Sequence, residues 1–364
     1  MCNLEDGTLR SLKRDQLKFD LLDIYAKYAL ESDASAFLDE QCVDAFLARA
    51  GSILSESLRQ ELVGSRNLLS GHRTENMFEA VLASIGKIGF IQQLDIGSAW
   101  FRNDLQVPDF LVELADGQVV LIEVKNFHQN PSNPMRPFKL GQKSFRKLEG
   151  YAHLVDYPLY FAIYFDLWNQ WCLIPSSAFE RKGGNMTASF QMAMMQNDMV
   201  CVGDVLIATV PPLKLTFQVE QSSPPIGDDG GLVELKIIGT QIEAGGIIVD
   251  NKPEQNIALQ LALFGTWLEE ESVLMNEGRV TGLCYFFTPE ERDNQVFSMI
   301  GSLSQLASNR FLRSTTSEAN YLTQISAQII PETLGTMIPD NYEGAALRLW
   351  RFQLHSSAAN KESL

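Results

Sequence analysis

The residues best suited to chemistry in this sequence are a carboxylate behind a proline, Val107-Pro108-Asp109-Phe110, and an acid and a base one residue apart, Glu123-Val124-Lys125. Hydrolysing a phosphodiester calls for a hard divalent cation that neutralises phosphate charge and acidifies a water. Mg²⁺ takes oxygen ligands, usually one or two carboxylates with waters and substrate phosphate making up the rest. Asp109 and Glu123 would supply the carboxylates, and the Val124 carbonyl would complete the protein's share. Glu123 and Lys125, two apart on a strand, leave the same face. That spacing sets the Lys125 ammonium over the attacking water, where it orients the water and offsets developing negative charge.

A hairpin has to bring these groups together. The spacing predicts strands at Asp109–Glu113 and Val119–Lys125, joined through Ala115-Asp116-Gly117. Asp-Gly between two apolar runs is a strong hairpin signal. Folding there sets Asp109 level with Glu123 on a neighbouring strand about 4.8 Å away. The flanks, Phe110-Leu111-Val112 and Val119–Ile122, read as buried strands, where Asp, Glu and Lys are costly without a reason such as a metal. Around the hairpin we expect a helix Thr74–Gly89, with Thr74 as N-cap and Gly89 as stop, and a strand Phe90–Phe101. An Asn/Pro-rich loop Asn126–Pro137, a helix Leu140–Val155 and strands Leu159–Asp166 and Gln170–Pro175 follow.

Pro-Asp followed at a distance by Glu-x-Lys in a hairpin resembles the PD-(D/E)XK nuclease superfamily. Within it, His72–Pro175 is most similar to restriction-endonuclease and archaeal Holliday-junction-resolvase catalytic domains. The resemblance implies a restriction-endonuclease-like α/β core of helix, three strands, helix, two strands. It also implies a supporting acid on the first helix: Glu79 in Phe78-Glu79-Ala80-Val81, with Glu75 one turn earlier as the competing choice. A polar residue on the helix after the lysine strand is a further family feature; Gln142 is the nearest match, and Lys143 or Lys147 would substitute. The implied cofactor is Mg²⁺, with Mn²⁺ able to replace it, and the implied substrate is DNA, although RNA would call on the same metal chemistry.

The chain of 364 residues carries a net charge of −16, which taken alone argues against nucleic acid. The basic residues are concentrated, however. Lys125, Arg136, Lys139, Lys143, Arg146 and Lys147 fall in a span with no acid. Lys139, Lys143, Arg146 and Lys147 recur at three- and four-residue steps, so they share a face of a helix that starts early enough, as nucleic-acid contacts would. His128 and its loop lie beside the stripe.

The five cysteines show no CxxC spacing and the four histidines no metal-ligand helical spacing, so a disulfide framework and a zinc site are not suggested. There is no P-loop and no Gly-x-Ser-x-Gly. No apolar run is long enough to span a membrane, and the polar Met1–Asp20 does not read as a signal peptide, so a cytoplasmic protein is expected.

Three domains are expected: a helical N-terminal region at 1–70, with three helices between Gln16 and Leu69, the nuclease-type core at 71–178, and a C-terminal α/β domain at 179–364. In the last, Arg181–Asp198 shows no period, Val205–Val219 and Leu232–Val249 alternate like strands, and Ser222–Gly231 reads as a linker. Helices Pro253–Leu274 and Pro289–Ala307 and strands Leu283–Phe287 and Leu347–Leu354 complete it. Its acidity points to contact with a partner protein rather than DNA, and a homo-oligomer is expected by analogy with nucleases that cut both strands. The leading expectation is a metal-dependent DNA endonuclease, with a bacterial restriction or anti-phage role. A structure-specific repair or recombination resolvase, or an inactive nuclease-fold scaffold, is the alternative.

Overall fold

The computed structural model describes residues 10–13, 25, 43–44, 46, 66–94, 98–220, 235–289, 296–317, 322–324, 326–327 and 333–356. The three expected N-terminal helices and the expected linker lie almost wholly outside the described residues. Tyr25 and Phe46 are described, buried, and meet edge to face at 5.3 Å. The chain divides into two compact units: Met1–Gly203 with Ala307–Glu332 and Leu354–Leu364, and Asp204–Leu306 with Thr333–Gln353.

In the first unit, strand β1 (Arg10–Lys13) precedes helix α1 (Arg66–Ile85), which leads to β2 (Phe90–Gln93) and β3 (Ser98–Phe101). Then come β4 (Phe110–Glu113), β5 (Val119–Phe127), β6 (Phe138–Gly141), helix α2 (Gln142–Val155), β7 (Leu159–Phe165) and β8 (Gln170–Pro175). Strands β9 (Glu180–Lys182) and β10 (Asn185–Ala188) and the short helix α3 (Phe190–Met195) follow. The central sheet runs β2-β4-β5-β7-β8, with β5 and β7 parallel and the other pairs antiparallel. The β4–β5 hairpin turns where expected, with Gly117 at φ 86°, a conformation that glycine adopts without strain.

Strand periodicity sorts the core into two layers. Val120, Ile122, Val124, Ala162, Tyr164, Trp171 and Leu173 pack with Met77, Phe78 and Leu82 of α1. Leu121, Phe127, Phe161, Ile163, Phe165, Cys172 and Ile174 pack with Phe145, Leu148 and Ala152 of α2. The period-less stretch 181–198 belongs to this unit because β10 pairs with β6, and Ala188 and Ala193 enter the α2-side core.

Several expected elements need correction. Helix α1 begins before Thr74, whose hydroxyl donates to Ser70 O at 2.8 Å within the helix and caps nothing. The helix stops at Gly86, at φ 67°. Gly89 serves a close approach instead: a Cβ there would meet the Glu113 carboxylate at 2.3 Å. Phe90–Phe101 holds two strands, β2 and β3, rather than one. Helix α2 starts at Gln142, so Lys139 sits on β6 and not on the helix.

The second unit holds β11 (Leu206–Thr209), β12 (Leu213–Val219), β13 (Ile237–Ala244), β14 (Ile247–Ile248) and helix α4 (Lys252–Phe264). Strands β15 (Leu268–Asn276), β16 (Arg279–Thr288) and β17 (Ser298–Ser302), the start of helix α5 (Leu303–Thr315), the short helix α6 (Thr333–Met337) and β18 (Leu349–Phe352) complete it. Its sheets run β14-β13-β12-β16-β15 and β17-β11-β18. The expected helix Pro253–Leu274 ends at Phe264, and its second half is strand β15. The described part of the expected helix Pro289–Ala307 is shared between strand β17 and the first residues of helix α5. The Glu269-Glu270-Glu271 run lies exposed on β15, not at a helix end.

Asp204 seats the start of α5: its Oδ1 accepts from Ser304 N at 2.9 Å and its Oδ2 from Ser304 Oγ at 2.6 Å. Burial raises its carboxyl to about 6, against the pull of hydrogen bonds from Ser304, Ser302 and Val205. An unfolded aspartate titrates near 3.9. Between those values the folded state binds more protons, so stability falls as pH rises from about 4 through about 6. The cost at neutral pH is on the order of 2–3 kcal/mol. Asp204→Asn is expected to lift it, so its gain in melting temperature over wild type should grow from pH 4 to pH 7. A gain that stays constant over that range would show that the charge of Asp204 is not its source.

Candidate active site

Asp109, Glu123 and Lys125 meet where β4 begins and β5 passes the middle of the sheet. The β4–β5 register pairs Phe110 with Ile122, which sets Asp109 level with Glu123. Asp109 Oδ2 accepts from Val124 N at 2.7 Å. Lys125 Nζ donates to Glu123 Oε1 at 2.5 Å and to Val124 O at 3.0 Å. Glu123 and Asp109 are 1% and 7% exposed, while the Lys125 side chain keeps 29%, so the carboxylates are sunk and the amine borders solvent.

The electrostatics are those of a tight acid–acid–base cluster. Burial, then the charge of Glu123, holds the Asp109 carboxyl well above the usual carboxylate range, against the opposing pull of Lys125 and the Val124 amide. Burial alone would lower the Lys125 amine. The charges of Glu123 and Asp109, the Glu123 hydrogen bond and the charge of Glu75 outweigh it and raise the amine.

On α1, the charge of Glu75 acts in the same upward direction on both Asp109 and Lys125. Its carboxylate lies 3.4 Å from His72 Nδ1. Glu79, favoured from the sequence, is raised by burial with His72 opposing. The sequence missed Gln106, whose Nε2 donates to Glu123 Oε1 at 3.4 Å, with its own amide held by Lys147 O at 3.3 Å. Only its nearness to Pro108 hinted at this.

The basic stripe is partly neutralised. Lys147 pairs with Asp104 at 2.6 Å and Lys143 approaches the same carboxylate at 3.9 Å. Lys139 and Arg146 are exposed. Gln142 is the first residue of α2, and its amide donates to Gly184 O at 3.4 Å.

Hard oxygen donors suit Mg²⁺ or Mn²⁺. The Lys125 ammonium, itself a cation, bridges Glu123 Oε1 and Val124 O, so these two oxygens already face a positive charge. Among the described residues no group of three or more His, Cys, Asp and Glu stands at ligating distance. The oxygens on offer from Asp109, Glu123 and Val124 are hard donors, of the kind that suits Mg²⁺ or Mn²⁺ rather than a zinc site.

No family model and no curated protein matches the chain. A solved structure does. Hjc from Archaeoglobus fulgidus, a Holliday junction resolvase from an archaeal hyperthermophile, is 17% identical, with a TM-score of 0.28, over 37% of this chain and 96% of its own. No described helix is long and apolar enough to cross a membrane.

Proposed function

We propose that this chain is a metal-dependent nuclease that hydrolyses phosphodiester bonds in DNA. The observation that carries the reading is the convergence of Asp109, Glu123 and Lys125, two sunken carboxylates and a bordering ammonium, on one spot. Asp109, Glu123 and the Val124 carbonyl would hold Mg²⁺ or Mn²⁺. When bound, such an ion polarises the phosphate and lowers the pKa of a coordinated water. Lys125 orients the attacking water and offsets charge on the phosphate. Gln106 fixes the rotamer of Glu123, and Glu75 supports the cluster from α1.

The finer reading is an endonuclease of a bacterial restriction or anti-phage system, acting as a homo-oligomer, with the second unit docking a partner protein. A structure-specific resolvase is the same chemistry on junction DNA. An inactive scaffold is favoured by one feature, the engagement of both Glu123 Oε1 and Val124 O by Lys125.

The test is cleavage of plasmid, linear duplex, single strand, junction and RNA with Mg²⁺ or Mn²⁺. Cutting of plasmid or duplex supports the endonuclease, junction preference the resolvase, and no cutting with no Mn²⁺ binding sinks the enzyme. In the same assay Glu75→Gln is expected to lose roughly 10- to 100-fold, the scale of outer-shell support, and Glu79→Gln less than about three-fold. The opposite order would return the supporting role to Glu79.

A further inference from the structure

Strand β5 does not end its polar work at Lys125. Asn126 faces α1, and three polar atoms close a small triangle there. Asn126 Nδ2 lies 3.3 Å from Ser70 Oγ and 3.3 Å from His128 Nε2, and Ser70 Oγ lies 3.4 Å from His128 Nε2. The ring of His128 is 70% exposed, yet its orientation is fixed from behind, with Nδ1 2.6 Å from Asp166 Oδ2. Asp166 is itself held, since its Oδ1 accepts from Gln129 N at 2.9 Å. Arg136 donates to His128 O at 3.3 Å and lies over the Phe127 ring at 5.3 Å, which keeps a cation beside the triangle.

The chemistry of the three corners decides what they take. Asn126 Nδ2 donates to Ser70 Oγ, and the His128 Nε2 role depends on the tautomer of the ring. The three bonds are long, and an anionic oxygen above the triangle offers the amide NH₂ and the hydroxyl a stronger acceptor, with Nε2 joining in the form that carries a proton there. A serine-protease reading fits poorly, because Ser70 lies inside α1, where its amide serves the helix and supplies no oxyanion donor.

We infer that Ser70, Asn126 and His128 form a phosphate-oxygen site for the nucleic-acid backbone beside the scissile linkage, with Asp166 as the positioning residue for His128. The inference rests on the nuclease reading for its ligand. Asn126 directly follows Lys125 on β5, its side chain leaving the strand on the α1 side, and Ser70 precedes Glu75 on α1 by about 7.5 Å of axial rise. One strand and one helix thus build both sites.

The experiment uses the full chain in a Lys125→Ala background, so that substrate stays intact. Its duplex carries a single uncharged methylphosphonate linkage, moved one position at a time. At one position near the cut, the neutral linkage is expected to weaken the His128-containing protein about ten-fold and to leave His128→Ala unaffected. A merely structural role for His128 would leave the loss at that position the same in both proteins. Losses that multiply at every position overturn the site while leaving the nuclease reading intact.

If no nucleic acid binds, inorganic phosphate decides. A saturable shift of the His128 ring proton resonances, lost in Asn126→Ala, keeps the phosphate site and sinks the nuclease. Absence of that shift overturns both.

Discussion

Lys125→Ala is expected to lower metal-dependent cleavage on the order of 10³-fold, or ~4 kcal/mol of barrier, while metal binding persists; Asp109→Ala is expected to abolish both. The asymmetry follows from what each group touches. Lys125 donates to Glu123 Oε1 and Val124 O, so its removal frees two expected ligand oxygens rather than deleting one. The lost rate reflects an ammonium that orients water and faces a developing charge, an effect of the size found for a single preorganised donor. Asp109 is itself an expected ligand.

Asp109 also has a structural task, because its Oδ2 accepts from the Val124 amide. Asp109→Asn separates the two tasks, since an amide oxygen can still accept that bond. It should fold as wild type and still fail to cut. Single-turnover cleavage and calorimetric Mn²⁺ titration read the two effects apart. If Lys125→Ala cuts at the wild-type rate, or Asp109→Ala binds Mn²⁺ with unchanged affinity, the assigned roles are wrong. Removing Lys125 also leaves Glu123 and Asp109 facing each other in the core, a pair whose repulsion already raises Asp109. Mg²⁺ should therefore raise the melting temperature of Lys125→Ala more than that of wild type, because a ligand stabilises the state that binds it.

The hairpin and its cluster were legible in the sequence because their determinants are local. Asp116-Gly117 fixes the turn, and apolar runs on either side fix the register that levels Asp109 with Glu123. Strands β7 and β8 were legible for the same reason. The choice between Glu75 and Glu79 was not, because residues four apart share a helix face and only the tertiary field separates them. The basic stripe looked freer than it is, because Asp104, which holds Lys147, lies far from it in sequence.

In the second unit, apolar spacing runs on past Gly265 and hides the end of α4. That end is set by crowding: a Cβ at Gly265 would meet Leu261 O and Trp267 Nε1, each at 2.5 Å. Trp267 Nε1 then donates to Leu261 O at 2.7 Å, closing the helix so that β15 can begin. In strand β15, Glu271 pairs with Tyr285 of β16, and a neighbour distant in sequence thus overrides a helix-like local pattern.

Trp171→Ala is expected to destabilise the first unit by about 3–5 kcal/mol, the range for deleting a buried aromatic, and to lower its melting temperature by roughly 10 °C. The indole is fully buried on β8. Its ring centroid lies 5.0 Å from that of Phe78 on α1 and 4.9 Å from that of Tyr164 on β7. Its Nε1 donates to Ser308 Oγ at 2.9 Å, so truncation also leaves a buried hydroxyl short of a partner. Trp171→Phe keeps most of the apolar volume and loses only that bond, so its cost should be about 1–3 kcal/mol. Equal melting of both variants and wild type would show that the cluster does not limit stability.

The same ring seats the site. Phe78 stands between Glu75 and Glu79 on α1 and meets Phe110 at 6.2 Å, and Phe110 follows Asp109 directly. From β8 to the start of β4, the aromatic contacts Trp171–Phe78–Phe110 fix α1 against the sheet, and with it the spacing of Glu75 from Asp109. Well below its melting point, Trp171→Ala should therefore cut more slowly than Trp171→Phe at saturating Mg²⁺, because the chemistry depends on where the helix lies as well as on whether the unit is folded.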